Sequence, residues 1–355
     1  MQRILRSLFA LVALIAATTA LVACGGSSSG DSASSDTDVN TLLDKTFSGS
    51  SKGVKSGRID LSLKVNVTGG TTSGPIDVSL SGPFENQGAK KLPKLDLSVS
   101  ASGQGQNIKA GVESTGDKGF VSFNGTDYVV SDAVFTQFKD SYEQAASKKT
   151  SNGKQTSFAS LGLDPKKWLT NPKNEGDAKV GDTDVIKITG GLDVNRFLDD
   201  VNTALSKAGS LGVTNAQLPT KLTDAQKQQV AKALKNVAVE IDTGKDDTIL
   251  RRMKIDLNAV NPNQTSQKAT VAFDLQLLDL NKSQSFDEPS NPKPFDQLLQ
   301  QFGGLGALGG SSNSSSGGGS TSGASQQKLD QYSACLQKAG QDLTKAQKCA
   351  DLLTP

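Results

Sequence analysis

The chain has 355 residues, with 38 Lys plus Arg against 36 Asp plus Glu and no histidine at all. The absence of histidine excludes a Ser-His-Asp triad and any His-ligated metal site, and three cysteines are too few for a four-thiolate zinc or iron–sulfur centre. A net charge of +2 gives no electrostatic footprint for nucleic acid, and the 35% hydrophobic fraction reflects Gly/Ser-rich runs flanking a body long enough for a sizeable core.

Arg3 and Arg6 form a positive start, followed by an apolar run from Leu8 to Val22. As a helix that run spans roughly 22 Å, short of a hydrocarbon core of about 30 Å. Residues 1–23 therefore read as a cleaved secretory segment. Leu21-Val22-Ala23-Cys24 resembles the bacterial lipobox, which implies a diacylglycerol thioether on Cys24 and cleavage just before it. Two acyl chains suffice for stable anchoring, whereas one is marginal. An ordinary signal peptide with an incidental cysteine is the plainer alternative. Removing residues 1–23 takes away two arginines and no acids, leaving 36 basic against 36 acidic residues. The anchor, rather than surface charge, would then hold the chain at the outer face of the cytoplasmic membrane.

Residues 24–38 are Ser/Gly/Asp-rich and read as a tether, and 303–325, where 17 of 23 residues are Gly or Ser, as a linker. Between them lies the main domain, 39–302. Ile59, Leu61, Leu63, Val65 and Val67 alternate with polar residues, as do Ile76-Val78-Leu80, Leu95-Leu97-Val99-Ala101 and Ile108-Ala110-Val112. Such period-two runs predict strands with one apolar and one solvated face, punctuated by turns at Gly69-Gly70, Ser73-Gly74-Pro75 and Gly103-Gln104-Gly105. Further strands are expected at Gly119–Asn124, Tyr128–Ser131, Asp184–Thr189, Val237–Asp242, Ile249–Val260 and Lys268–Leu280.

Asp132 can cap a helix through about Ala146, with Phe135 and Phe138 on its apolar face. Asp193 can cap Val194–Ala208, and Thr223 can open Asp224–Lys235. The order predicts an α+β fold with one large curved antiparallel sheet and helices on one side.

In the tail, 326–355, Cys335 and Cys349 would meet across two short antiparallel helices, and an exported compartment permits a disulfide. A reactive thiol pair is the alternative, although 13 intervening residues are unlike a Cys-x-x-Cys motif. Asp242-Thr-Gly244-Lys-Asp246-Asp247 has a superficial calcium-loop look but suits a hairpin turn better. Lys52, Lys55 and Arg58, and Lys90, Lys91 and Lys94, form basic clusters that would touch lipid phosphates or simply be solvated. No nucleophile elbow, Walker or Rossmann pattern stands in a suitable context, so the expectation is a non-enzymatic protein with no cofactor.

The apolar sheet face carries Leu61, Leu63, Val65, Val78, Leu80, Leu97, Val99, Phe273 and Leu275 at predicted inward positions. Periodicity leaves open whether they fill a core or line a cavity. Smooth aliphatic walls suit acyl chains, which offer no hydrogen bonds.

Several coupled segments resemble the actinobacterial lipoproteins of the LppX/LprG type. They are the lipobox at Cys24, the alternating first strands, Gly162-Leu-Asp-Pro-Lys-Lys-Trp168-Leu, Gly181-Asp-Thr-Asp-Val-Ile-Lys-Ile-Thr-Gly190, Val237-Ala-Val-Glu-Ile-Asp242 and Ile249-Leu-Arg-Arg-Met-Lys-Ile-Asp-Leu257. The resemblance covers about residues 39–302 and implies a LolA-like half-barrel sheet with helices packed across its concave face. It also implies an apolar cavity that holds an acylated lipid or glycolipid and carries or presents it at the membrane. Lifting a lipid with about 30 methylenes out of a bilayer forfeits about 24 kcal/mol, so a carrier needs a nearly closed cavity. The rival is a sensor or scaffold that binds another envelope protein, with a filled core.

Overall fold

The computed structural model describes residues 33–47, 53–69, 74–88, 91–103, 105–150, 163–210 and 221–301. Cys24, the apolar run before it, the linker and the Cys335/Cys349 tail lie outside the described residues. So do Lys52, Lys90, most of the polar insert after Ala146, and residues at the turns 69–75 and 103–105.

In chain order the elements are α1 (Val39–Phe47), β1 (Ser56–Thr68), β2 (Gly74–Glu85), β3 (Lys94–Gly103), β4 (Gln106–Ser114), β5 (Gly119–Phe123), β6 (Thr126–Val129) and α2 (Asp132–Thr150). A 3-10 turn (Pro165–Trp168) follows, then β7 (Leu169–Val180), β8 (Thr183–Leu192), α3 (Val194–Ser210) and α4 (Asp224–Ala233). The described chain closes with β9 (Leu234–Gly244), β10 (Leu250–Val260), β11 (Lys268–Leu278), β12 (Lys293–Pro294) and α5 (Phe295–Gln301).

All twelve strands form one open sheet in the order β12-β6-β5-β4-β3-β2-β1-β11-β10-β9-β8-β7. Every pairing is antiparallel except the two-residue β12, which runs parallel to β6 and makes the sheet mixed. The α+β expectation therefore stands, with that one parallel addition.

The alternating strands behave as their pattern requires. Leu61 pairs with Leu275 on one side and Leu80 on the other; Leu80 pairs with Val99, and Val99 with Ala110. Directly paired residues share a face, so one apolar face runs unbroken across the sheet. Asn124 and Gly125, with φ of 46° and 83°, supply the left-handed turn that closes β5 onto β6.

The predicted helices form, α3 and α4 with their expected caps; Asp132 instead lies inside α2, whose first bond runs from the Phe135 N–H to the Ser131 carbonyl. Thr223 and Gln226 make a reciprocal capping box on α4, the Thr Oγ1 accepting the Gln226 backbone N–H at 3.3 Å. Asp193 accepts the backbone N–H of Arg196 at the start of α3. Five elements have no counterpart in the sequence expectations: α1, which Asp38 caps, the 3-10 turn, β7, β12 and α5. β7 reads LTNPKNEGDAKV, with no apolar alternation, a proline and two register shifts, at Thr170/Lys173 and Asn174/Gly176.

Residues of α1, α3 and α4, with Trp168, share one buried cluster with the apolar residues of β1 and β8–β11. Trp168 is the pin of this layer. Its ring meets Phe197 edge-on at 5.2 Å, and its Nε1 donates to Asp200 on α3 at 2.8 Å. The same carboxylate oxygen accepts the Asp164 backbone N–H at 2.7 Å, which holds the 3-10 turn against the helix. The order of the chain also reaches back into the stretch read as tether. Ala33 is buried, its N–H donates to the Lys245 carbonyl, and Asn174 binds the carbonyls of Ser35 and Thr37.

Candidate functional site

The apolar face has two halves with one chemistry and opposite burial. Across β1 and β8–β11, Ile59, Leu63, Ile186, Ile188 and Ile241 are fully buried under α1, α3, α4 and Trp168. Across β3 and β4, Val99 is 39% exposed, Ile108 47% and Val112 50%. These three lie on that same face, because Val112 pairs with Leu97, Val99 with Leu80, and Ile108 with Ala101, which in turn pairs with Val78.

The nine residues nominated from the sequence distribute across this divide. Leu61, Leu63, Val65, Phe273 and Leu275 belong to the sealed half, where they are buried in the shared cluster. Leu80 and Leu97 are buried and Val78 partly buried where the two halves meet, and Val99 stands in the open half. Ile108 and Val112, which the sequence placed on strands but not at the site, complete the open half. Their signal was the alternation Ile108-Ala110-Val112.

Phe138 departs from expectation. Phe135 is buried against Gly119, where any added side chain would strike its ring, but Phe138 is 57% exposed and Val134 53%. The helix presents only part of its apolar stripe to the sheet, so α2 rests on the start of β5 and leaves β4 uncovered.

The opposite face of the sheet is polar. Arg252 bridges Asp274 and Glu240, Lys187 pairs with Glu240, and Lys254 with Asp256. Two depressions of about 330 Å³ and 380 Å³ lie on the sheet, and Asp256 belongs to both. The first is lined mainly by Thr189, Glu240, Lys254 and small residues such as Gly191, the second by Lys64, Asn66, Asp77 and Asn258. Of the nine nominated residues only Val65 touches either one.

Two carboxyls on the polar face are strongly perturbed. Burial, then the charge of Glu240, pushes Asp242 up to about 7, and its Oδ1 has no hydrogen-bond partner. Burial, then Asp96, Glu288, Asp127 and Asp287, pushes Glu113 up to about 7, and its Oε1 is likewise unpartnered. Asp242 opens the turn that the calcium-like pattern marked; there Asp247 pairs with Arg251 and accepts the Ile249 N–H, as hairpin residues do.

No family model and no curated protein matches the chain. Among solved structures it is similar to LprF from Mycobacterium bovis, at 12% identity and a TM-score of 0.32, over 71% of this chain and 97% of that one. It is also similar to the lipoprotein LppX of Mycobacterium tuberculosis, at 13% identity and a TM-score of 0.30, over 70% of this chain and 100% of that one.

Proposed function

We propose that this protein is an exported, non-enzymatic lipoprotein, anchored through Cys24. It holds acyl chains of a lipid or glycolipid against the open half of its apolar sheet face and presents them at the outer face of the cytoplasmic membrane; an open face, unlike a nearly closed cavity, does not compensate for lifting a whole lipid out of the bilayer. The observation that carries this reading is the exposed aliphatic set Val99, Ile108 and Val112, continuous with a face that is sealed elsewhere. A contiguous exposed apolar patch on a sheet marks an interaction surface, and branched aliphatic walls suit hydrocarbon. Val78, Leu80 and Leu97 form the floor where a bound chain would meet the core, and Leu61, Leu63, Val65, Phe273 and Leu275 support that floor from behind.

The test is native mass spectrometry of the mature chain bearing Cys24→Ser, with organic extraction of whatever co-purifies. Stoichiometric lipid, lost on Val99→Asp/Val112→Asp, is the expected result. A clean unliganded mass that also refuses added diacyl lipids sinks the lipid-binding reading and turns attention to a protein partner.

A further inference from the structure

The antiparallel pairings place the β7–β8, β9–β10 and β4–β5 turns along one rim of the sheet, because Val185 pairs with Gly244 and Ser114 with Gly119. Ala33 is fixed to this rim by its hydrogen bond to Lys245. From there the chain climbs the β7 edge past Asn174 to α1. Nine residue steps separate Cys24 from Ala33. Fully extended they span at most about 32 Å. A chain held at Cys24 therefore keeps Ala33, and the rim it is fixed to, within about 32 Å of the bilayer.

The helix α2 crosses the same rim. Phe135 sits over Gly119, and Lys139 donates to the Gly116 carbonyl at 2.9 Å and pairs with Asp117 in the β4–β5 turn. One turn apart on this helix, Val134 and Phe138 stand in water. Four lysines at this end are engaged already, Lys118 with Glu288, Lys179 with Asp184, Lys245 with Asp177 and Lys282 with Asp279, while Lys55 and Lys91 stand exposed beside β1 and β3. Charge can therefore add to a contact with headgroups at this rim, and Val134 and Phe138 supply its hydrocarbon.

We propose that α2 is a bilayer-contact helix: Val134 and Phe138 enter the interface of the phospholipid membrane that anchors the chain. The inference rests on anchoring at Cys24 as proposed above. It gives the open face an orientation, because Val112 is the exposed apolar residue nearest this rim and Val99 and Ile108 follow it away from the membrane. Two side chains are far too little hydrocarbon to bind a membrane unaided, so the contact depends on the anchor.

Trp168 is the only tryptophan and is buried at 4% exposure, which makes it an internal reference. The experiment uses the full acylated chain bearing Phe138→Trp, in vesicles of phosphatidylcholine and phosphatidylglycerol with or without dibrominated phosphatidylcholine. The expected result is a blue shift and, on going from plain to brominated vesicles, a loss of roughly a third of the total emission that the wild type does not show. Asn263→Trp, in the exposed β10–β11 turn on the opposite rim, should show no such loss. The loss should also vanish when Phe138→Trp is combined with Cys24→Ser. An acylated, vesicle-bound Phe138→Trp protein without quenching overturns the bilayer contact and leaves the anchor standing. Quenching that survives Cys24→Ser overturns it as well, because a lipid held by the domain itself would then be the quencher. An extracted mass lacking the diacylglycerol thioether takes down both readings together.

Discussion

The two halves of the apolar face share a pattern and differ in what lies over them. β1 and β4 both alternate, yet Leu63 is fully buried while Val112 is half exposed. The difference is the layer formed by α1, α3, α4 and the Trp168 pin, which covers β1 and β8–β11. Hydrophobic alternation specifies which side of a strand is apolar. Only the third dimension decides whether that side is core or surface.

The comparison can be broken most forcefully from the sealed half. Ile241→Ala should cost about 3–4 kcal/mol in urea unfolding, whereas Val112→Ala, its counterpart in the open half, should stay within about 0.5 kcal/mol. Comparable losses at both sites would mean that the open half is covered in solution. Next in size is the pin: Asp200→Ala strips the partner from Trp168 Nε1 and the Asp164 N–H and should cost about 2 kcal/mol, with loss of the near-ultraviolet tryptophan signal. Val99→Asp with Val112→Asp sharpens the contrast from the other side. It should abolish acyl-chain binding while shifting the unfolding free energy by no more than about 1 kcal/mol.

The last test is a pH dependence. Asp242 ordinarily titrates near 3.8 and in the fold is pushed up to about 7, so the folded state keeps a proton that the unfolded chain releases. Its contribution is fully present below about pH 4 and is lost as pH rises through about 7. Asp242→Asn should therefore raise the melting point at pH 8 and flatten the fall in stability between about pH 4 and 7. Glu113 acts in the same direction, so a residual slope in that variant should disappear on adding Glu113→Gln. A slope untouched by both changes would place the titrating group elsewhere.

Much of the sheet was legible in the sequence, because β1–β4 and β9–β11 each carry the period-two signature. The caps at Asp193 and Thr223 were equally legible, since they rest on local hydrogen bonds. β7 was not: beyond the backbone ladder it pairs through polar groups such as Lys179 with Asp184 and Glu175 with Thr189, and a polar edge strand with a proline leaves no hydrophobic trace. α1 escaped for a different reason, being only nine residues long and drawing its burial from β7 and the 3-10 turn. Of the candidate site, the face was readable and the boundary between its halves was not. Val99 and Leu97 stand two residues apart on one strand, and nothing local tells which will be covered. Phe138 shows the same limit, since helical spacing put it beside Phe135 but could not say how α2 would roll on β5.

The unremarkable composition of β7 has one more effect. An open sheet of twelve strands ends in two edges, and an unpaired edge is a template for a neighbouring chain. On one side β7 carries Pro172, two register shifts and the charges of Lys173, Glu175, Asp177 and Lys179, which spoil a regular ladder of donors and acceptors, and Ser35 and Thr37 lie against it at Asn174. On the other, the two residues of β12 lie along β6 and end in Pro294, too short to recruit a partner. A protein that leaves a patch of hydrocarbon open on its face thus blunts both of its edges, and so separates the capacity to bind an apolar guest from the hazard of stacking into fibrils.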